Sequence, residues 1–129
     1  DIAVLAAAVA DYRPKSAATE KIKKKSNKMK LELEKTYDIA ATLGKAKEKQ
    51  LIVGFALETT NEVENAKGKL TRKNFDFIVL NSLQDKGAGF NHDTNKVTLI
   101  DKNNNFVEYE LKTKVEVAND IVNKIVKML

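Results

Sequence analysis

Lysine side chains gather on one stretch of the chain, directly after its first apolar run. Residues 2–9 are apolar throughout, and Asp11 follows them as an acidic side chain. Further along the chain follow Lys21, Lys23, Lys24, Lys25 and Lys28. A basic segment favours an anionic partner, and nucleic acid, phosphate ligands and acidic membranes all qualify. A solvated surface explains the same lysines, so composition leaves the partner open.

Further polar and aromatic candidates lie near the ends of apolar runs. Phe55 lies late in one run, and Asn81 directly follows another. Lys69 and Lys73 are four residues apart in a segment with helical spacing, so they are expected to point the same way. Each has a simpler interpretation: Phe55 as a core residue, the lysines as solvated side chains, and Asn81 as a tie for the next turn.

The apolar periodicity predicts the elements that position these side chains. In chain order they are a buried strand at 2–9, a loop at 11–28, a half-exposed strand at 29–33, a helix at 37–50, a buried strand at 51–57, a helix at 59–74, a buried strand at 77–80, a polar loop at 82–95, a hairpin with strands at 97–100 and 106–111, and a helix at 115–129. We expect Thr36 or Asp38 to cap the first helix and Thr60 or Asn61 to cap the second.

The predicted helices each carry an apolar face. The expected faces are Ile39, Leu43 and Ala46 on the first helix, Val63, Ala66 and Leu70 on the second, and Val115, Ala118, Val122, Ile125 and Leu129 on the third. Alternating buried strands and helices predict an α/β fold, a mainly parallel sheet with helices on both faces and a C-terminal hairpin. Ligands bind beyond the carboxyl ends of such strands, so residues 8–13, 55–59 and 81–82 are expected to converge on one crevice.

Composition limits the class of protein further. The 129 residues fit one domain, with a net charge of +5. Cysteine is absent, which excludes disulfides and thiolate metal sites and fits a cytoplasmic protein. No apolar run reaches the roughly 18 residues of a transmembrane helix, so no membrane association is expected. No basic n-region of a signal peptide precedes the first apolar residues. The strand pattern at the first residues and the missing initiator Met lead us to expect an N-terminally truncated domain.

A series of motifs resembles the phosphopantothenoylcysteine synthetase family, the synthetase half of a bacterial bifunctional decarboxylase/synthetase. The matching segments are Ala6-Ala7-Ala8-Val9-Ala10-Asp11-Tyr12-Arg13-Pro14, the lysine motif at 21–24, the helix start Tyr37-Asp38-Ile39-Ala40, the run at 53–59, the block at 69–81, and 89–91 with 97–99. The resemblance implies a Rossmann-like three-layer domain over residues 1–129, here its C-terminal portion, with a flexible lysine-rich flap at about 12–28.

The same resemblance implies an activity. Such enzymes are ligases of coenzyme A biosynthesis that use CTP and Mg²⁺ to activate 4'-phosphopantothenate as an acyl-cytidylate, which cysteine attacks. Eukaryotic members use ATP, and the sequence does not decide between the nucleotides. FMN belongs to the decarboxylase half, which this chain does not contain. A homodimer is implied, and we take the hairpin at 97–111 as its interface.

Site residues follow from the resemblance, position by position. Lys21 is implied as the catalytic lysine. Nucleotide contacts are implied for Ala7, Ala8, Asp11, Lys21, Tyr37, Asp38, Ile39, Ala40, Phe55, Lys69 and Lys73. Asp11 is a candidate Mg²⁺ contact, since a carboxylate beside a triphosphate is favourable with a cation between them. Asn81 is a candidate substrate contact. Tyr37 departs from the Pro usual in the family, and His92 receives no role.

Two other functions compete with this interpretation. A basic α/β module could bind nucleic acid through residues 21–30, but no aromatic residues alternate with these lysines, and arginine is limited to Arg13 and Arg72. A Rossmann dehydrogenase would show a G-x-G-x-x-G motif, which the chain lacks. We therefore expect small-molecule substrates and no nucleic acid partner.

Overall fold

The computed structural model describes residues 1–23, 27–82 and 92–129, which divide into two compact units. The larger unit joins Asp1–Ala6 to Ala40–Leu129, and the smaller unit is Ala7–Ile39. In chain order the elements are β1 (Ile2–Leu5), β2 (Tyr12–Pro14), β3 (Leu33–Lys35), α1 (Ile39–Ala46), β4 (Leu51–Glu58), α2 (Glu62–Arg72), β5 (Phe77–Ser82), β6 (Thr94–Asn95), β7 (Val97–Asp101), β8 (Phe106–Glu108), β9 (Lys112–Thr113) and α3 (Lys114–Val126). The predictions for Lys24, Lys25 and residues 83–91 lie outside the described residues.

The larger unit is built on a five-stranded sheet in the order β1-β4-β5-β7-β8. β1, β4 and β5 run parallel, whereas β7 and β8 form an antiparallel hairpin on the far side of β5. β6 and β9 form a separate antiparallel pair. The predicted α/β fold, with its mainly parallel sheet and its hairpin, is confirmed.

Helices cover both faces of this sheet, as predicted. On one face Ile52, Ile78 and Ile100 pack against Ala66 and Leu70 of α2, and Ala40 of α1 joins them. On the other face the buried set comes from three strands and from α3: Leu51, Val53, Phe77, Val79, Val97, Leu99, Val117, Ile121 and Ile125. Burying these side chains from water is the main favourable term that holds the three layers together. No helix in the described part of the chain is long and apolar enough to cross a membrane.

The first strand differs from the prediction in length and in burial. β1 ends at Leu5, and Ile2 and Val4 are 46% and 45% exposed, so a strand at 2–9 buried on both faces is wrong. In this chain β1 is the outermost strand beside β4. Ile2 and Val4 pair with Leu51 and Val53, on the α3 face, where the helix packs mainly over the inner strands.

The buried face of α3 is rotated from the predicted one. Val117, Ile121 and Ile125 are buried, whereas Val115, Val122 and Leu129 are 72%, 54% and 83% exposed. The helix carries two overlapping apolar stripes, and tertiary packing selects the one that reaches the sheet. Its start is fixed by a capping box, in which the Thr113 hydroxyl accepts from the Glu116 N–H and the Glu116 carboxylate accepts from the Thr113 N–H.

The faces of α1 and α2 also need correction. Ile39 and Leu43 of α1 are 49% and 38% exposed. Its buried side is instead formed by Gly44, with Ala40 packed on the core. On α2 the predicted Ala66 and Leu70 are buried, but Val63 is 40% exposed. Asn61 is the N-cap residue of α2 and lies in the left-handed region at φ 46°. In this conformation its side chain makes no capping hydrogen bond.

The smaller unit contains strands where a long loop was expected. β2 pairs antiparallel with β3, with Arg13 opposite Glu34. The Arg13 guanidinium lies 2.8 Å from the Glu34 carboxylate. The predicted strand at 29–33 is shifted to Leu33–Lys35, because this pairing with β2 fixes the register. Met29 and Leu31 remain 68% and 56% exposed, so their alternation with charged residues does not report burial.

Asp76 ties together the edge of the sheet at which β4 and β5 begin. Its Oδ2 accepts from the Ile52 N–H at 2.8 Å and from Lys47 Nζ at 2.6 Å, and its Oδ1 accepts from Lys102 Nζ at 3.2 Å. Burial raises the pKa of this carboxyl, but the hydrogen bonds from Lys47, Ile52 and Lys102 outweigh it, so the net pKa lies below 3.8. The ionised form is therefore the stable one in the fold.

Asp101 plays a similar part at the end of β7. Its Oδ1 accepts from the backbone N–H groups of Asn103 and Asn105, and its Oδ2 accepts from Lys124 Nζ at 2.9 Å. These bonds connect the β7–β8 turn to α3. Burial raises the pKa of Asp101, and the bonds from Lys124, Asn105 and Asn103 lower it to about 2.

Two glycines predict opposite effects of adding a methyl group. Gly54 lies against the ring of Phe75, and a Cβ there would overlap ring atoms, whereas a Cβ on Gly68 would meet only the flexible end of Arg72, at 3.0 Å. We expect Gly54→Ala to lower the free energy of unfolding by about 1–3 kcal/mol. Its matched control, Gly68→Ala in α2, should raise it by about 0.5–1 kcal/mol. Urea unfolding measures both, and equal stability of the two variants would contradict the packing.

The acid sensitivity of the fold follows from the two aspartates. Their folded pKa values lie below the unfolded value of 3.8, so their stabilisation is present above about pH 4 and is lost as the pH falls, for Asp101 towards about 2. Asp101→Asn should cost about 1–3 kcal/mol at pH 7 and flatten the loss of stability between pH 4 and 2. Urea unfolding at pH 7, 4 and 2 checks this; an unchanged acid dependence would show that Asp101 is not responsible.

Candidate functional site

Several predicted site residues lie in the smaller unit. They are Ala7, Ala8, Asp11, Lys21, Tyr37, Asp38 and Ile39. The backbone carbonyl of Asp11 accepts from the Thr36 N–H at 2.9 Å, so the chain is closed into a hairpin just before β2 and just after β3. The side chains of Asp11 and Lys21 are exposed, as a phosphate or cation contact requires. The roles of these two residues stay predictions.

Of the two caps predicted for α1, Thr36 is wrong, and Asp38, which directly precedes the helix, stays a prediction. The Thr36 hydroxyl donates to the carbonyl of Ala10, so Thr36 does not cap α1. The Ile39 N–H donates to the Tyr37 carbonyl at 3.1 Å. Within the larger unit, the side chain of Ala40 packs on the core, so any ligand contact of Ala40 would use its backbone. The Tyr37 ring is 69% exposed.

The carboxyl ends of β4 and β5 meet in register, as the sequence predicts for residues 55–59 and 81–82. Glu58 pairs with Ser82 at this edge. Around them lies a set of polar side chains that we name the carboxyl-edge cluster: Glu58, Glu62, Asn65, Lys69 and Ser82. All of these lie in β4, in β5 or on α2, which follows β4 directly.

Short contacts connect the members of the carboxyl-edge cluster. Lys69 Nζ lies 2.7 Å from Glu58 Oε1. Asn65 Nδ2 donates to Glu58 Oε2 at 3.2 Å and to the Thr60 carbonyl at 2.9 Å. Ser82 Oγ donates to Glu62 Oε1 at 2.6 Å. Because helical side chains lean towards the start of their helix, the long Lys69 side chain can reach Glu58 from the last turn of α2.

Phe55 and Asn81 lie on the opposite face of the sheet from this cluster. Phe55 pairs with Val79, and Asn81 pairs with Leu57. Alternation along the strands puts both on the face that α3 covers. Phe55 is 37% exposed, which leaves ring surface for a planar ligand. Asn81 Oδ1 is buried and accepts no hydrogen bond from the described residues.

α2 is shorter than the predicted helix at 59–74, and the shared direction of the Lys69 and Lys73 side chains stays a prediction. α2 ends at Arg72, and Lys73 is its C-cap residue, with φ −100° and ψ 8°. Its backbone N–H donates to the Lys69 carbonyl at 3.0 Å. Its own carbonyl lies against Gly44 of α1. The backbone of Lys73 therefore lies at the end of α2 that is farther from the carboxyl edge.

Acidic and histidine side chains form no metal cluster of three in the described ranges. The Mg²⁺ contact assigned to Asp11, a single exposed carboxylate, stays a prediction.

Sequence reasoning did not assign roles to Glu58, Glu62, Asn65 and Ser82. The signal for Glu58 was present, since it closes a buried apolar run in the same way that Asn81 does. Glu62 and Asn65 gave no such signal, because acidic and amide side chains near a helix start are common as dipole partners. Only the register of β4 with β5 brings Ser82 to α2.

Comparison with known families decides the relationship. A model described as the DNA/pantothenate metabolism flavoprotein C-terminal domain matches residues 1–129. The chain belongs to this family. As a member of it, the chain is 42% identical over 125 residues to the coenzyme A biosynthesis bifunctional protein CoaBC of Bacillus subtilis (strain 168). It is also 59% identical over 130 residues to a protein of an unknown prokaryotic organism named cysteine/cysteine sulfinic acid decarboxylase.

Each of these relatives is much longer than the chain. The match covers 97% of this chain but 31% of the Bacillus subtilis protein, and 100% of this chain but 36% of the decarboxylase. The family's fold is also seen in a solved C-terminal domain of CoaBC, with a TM-score of 0.77 and 43% identity, of which the chain covers 54%. The chain thus spans about a third of the curated relatives.

The buried oxygen of Asn81, which has no donor in the part of the chain that the structure describes, predicts an unusual mutational result. A buried acceptor without a donor costs about 1–3 kcal/mol, so Asn81→Ala should leave the free energy of unfolding unchanged or raised. Asn105→Ala is the matched control, since its Nδ2 donates to Asp101 at 3.1 Å and its loss should cost about 1 kcal/mol. Urea unfolding of both variants measures this. A clear loss of stability in Asn81→Ala would show that Asn81 ties the fold together.

Proposed function

We propose that this chain is the nucleotide-handling part of a phosphopantothenate–cysteine ligase of coenzyme A biosynthesis. The observation that carries the proposal is the 42% identity with CoaBC of Bacillus subtilis over 97% of this chain. A second CoaBC, from Haemophilus influenzae, is 43% identical over 94% of the chain. The motifs that carry the resemblance in the sequence include the residues that border the carboxyl edge in the structure.

The proposed reaction has two steps. The carboxylate of 4'-phosphopantothenate attacks the α-phosphorus of CTP, the bond to the leaving diphosphate breaks, and an acyl-cytidylate forms. The cysteine amine then attacks the acyl carbon, CMP leaves, and the amine loses a proton. Both steps develop charge on phosphoryl or acyl oxygens, so positioned cations and N–H donors are the main means of catalysis.

Each proposed contact matches the chemistry of its residue. Lys21 and Lys69 supply ammonium groups for the phosphates, and Lys73 is assigned with them from the resemblance. Phe55 supplies a partly exposed ring for the base. Backbone groups are assigned to Ala7, Ala8, Tyr37, Asp38, Ile39 and Ala40. The small alanines let a ligand approach the main chain, and N–H groups at a helix start suit phosphate oxygens.

Asn81 and Asp11 complete the proposed site. The buried Oδ1 of Asn81 needs a donor, and an amide N–H of the pantothenoyl group is a substrate donor that suits it. Asp11 would hold Mg²⁺ together with the nucleotide phosphates, and the ion would neutralise charge on the triphosphate. FMN is assigned to a decarboxylase half outside this chain.

The proposed assembly is a homodimer. In the predicted interface at 97–111, Val97 and Leu99 are buried within the chain. Phe106 and Val107 of the outer strand β8 are 42% and 39% exposed. Strand β8 is therefore the part of this hairpin that remains available to a second copy.

A second candidate function has one observation in its favour. The relative named cysteine/cysteine sulfinic acid decarboxylase is 59% identical over the whole chain. The complete protein would then release CO₂ from a sulfur amino acid, and this chain would serve that activity. The two candidates differ in their need for a nucleotide, because decarboxylation consumes none.

Activity of the complete native enzyme separates the candidates. We expect diphosphate release that requires CTP, Mg²⁺ and 4'-phosphopantothenate, and CMP release that requires cysteine as well. Lys21→Gln should reduce formation of the acyl-cytidylate by at least about 100-fold, the loss typical of one stabilising cation or donor in a transition state. Rapid-quench measurement of the intermediate checks this step directly.

The control for this variant is Lys30→Gln, which removes an exposed lysine from the same unit. It should leave the rate within about two-fold, because exposed single charges contribute little. Near-normal formation of the intermediate by Lys21→Gln would remove Lys21 from the mechanism. Nucleotide-independent release of CO₂ from cysteine or cysteine sulfinic acid, with no CTP turnover, would instead support the decarboxylase.

A further inference from the structure

Glu58 is an acidic residue in contact with Lys69, a proposed phosphate contact in the larger unit. It ends β4, its side chain is only 13% exposed, and its Oε1 lies 2.7 Å from Lys69 Nζ. No described N–H or O–H group is aligned with this oxygen as a hydrogen-bond donor. The contact is therefore a close charge pair without the directional geometry of a hydrogen bond.

The position of the Glu58 carboxylate is itself fixed. Its second oxygen accepts from Asn65 Nδ2 at 3.2 Å, and the same Nδ2 donates to the Thr60 carbonyl at 2.9 Å. Asn65 is held in turn, because its backbone N–H donates to the Asn61 carbonyl at 2.9 Å in the first turn of α2. The carboxylate therefore has little freedom to follow a mobile partner.

Lys69 is the more exposed member of the pair. Its side chain is 36% exposed, almost three times the exposed fraction of Glu58. A lysine ammonium has three donors on a flexible stem, so without a partner it would sample many rotamers. The contact with Glu58 uses one side of the ammonium, and the 36% exposed side chain leaves room for further partners.

We infer that Glu58 is a positioning residue: it holds the Lys69 ammonium at the carboxyl edge, ready for a nucleoside triphosphate. This inference rests on the proposed function, which assigns Lys69 to the phosphates. The ordering of the lysine side chain takes place when the protein folds, so nucleotide binding does not have to supply it. Glu58 is buried and tied to Asn65, so its carboxylate needs the charge of Lys69 to stay in place. The Lys69 ammonium therefore keeps its contact with Glu58 when it binds a phosphate.

A carboxylate near a triphosphate also repels it, and this effect opposes positioning. The repulsion acts over distance and weakens with salt, since the Debye length falls from about 10 Å at 0.1 M to about 3 Å at 1 M. Positioning depends on contact, so salt affects it far less. The two effects also differ in their response to shortening: Glu58→Asp keeps the charge but withdraws the carboxylate from the ammonium.

Calorimetric titration of the complete native enzyme with CTP and Mg²⁺ tests the inference. Glu58→Gln and Glu58→Asp should both raise Kd about 3- to 10-fold, the equivalent of immobilising one long side chain. The increase should persist at about 0.5 M salt, where long-range repulsion is screened. Glu64→Gln removes an exposed acid from α2, the helix that carries Lys69, and as the matched control should leave Kd unchanged.

A double-mutant cycle with Lys69→Met adds a readout that a merely structural role would not change. Glu58→Gln should have no further effect on Kd in the Lys69→Met background, since the residue acts through Lys69. The double variant carries neither charge, so it folds even if Lys69→Met alone leaves Glu58 unpaired and unstable. If Lys69→Met is too unstable to measure, the Kd values of the single Glu58 variants at high salt test the inference.

Two results would overturn the inference while leaving the proposed function standing. One is CTP binding by Glu58→Gln that equals or exceeds that of the wild type at high salt. The other is a full additional loss from Glu58→Gln when Lys69 is already Met. A wild-type enzyme that binds no CTP would overturn both the inference and the proposed function.

Discussion

The carboxylate of Asp76 is the constraint on which the sheet of the larger unit depends. Its backbone N–H donates to the Ile52 carbonyl at 2.8 Å, while its side chain accepts from the Ile52 N–H at 2.8 Å. Its own carbonyl accepts from the Lys102 N–H at 3.1 Å. One residue thus joins β4, β5 and the β7–β8 turn. A buried carboxylate can do this because Lys47 and Lys102 balance its charge.

The register set at that edge has consequences at the other edge. Because β4 and β5 are parallel and pair without interruption from Val53 with Phe77 to Glu58 with Ser82, fixing their beginnings also aligns their ends. The buried carboxylate of Asp76, which accepts several donors, lies at the beginnings of the two strands. The ends carry the carboxyl-edge cluster and an Asn81 Oδ1 that has no donor among the described residues. The polar group that fixes the register is therefore separated from the carboxyl-edge cluster by the length of the strands.

Local sequence patterns predicted the strands with strong apolar runs and failed where packing had to choose. β4 and β5 were predicted within one or two residues of their ends, because an uninterrupted apolar run such as 51–57 is typical of a buried strand. The rotation of α3 was not predictable from its own residues, since stripes through Val117 and through Val122 are both apolar, and only the sheet distinguishes them. The pairing of β2 with β3 was missed because strands of three residues carry too little periodicity to detect.

The candidate site shows the same division between motif and geometry. Resemblance proposes ligand contacts, such as Phe55 and Lys69, but says nothing about the sheet face on which each lies. Alternation puts Phe55 on the α3 face and Glu58, with its partner Lys69, on the α2 face. A single nucleotide that contacts both must therefore cross the edge where β4 and β5 end. Glu58 ends β4 at that edge and contacts Lys69, so its carboxylate lies where the two faces meet.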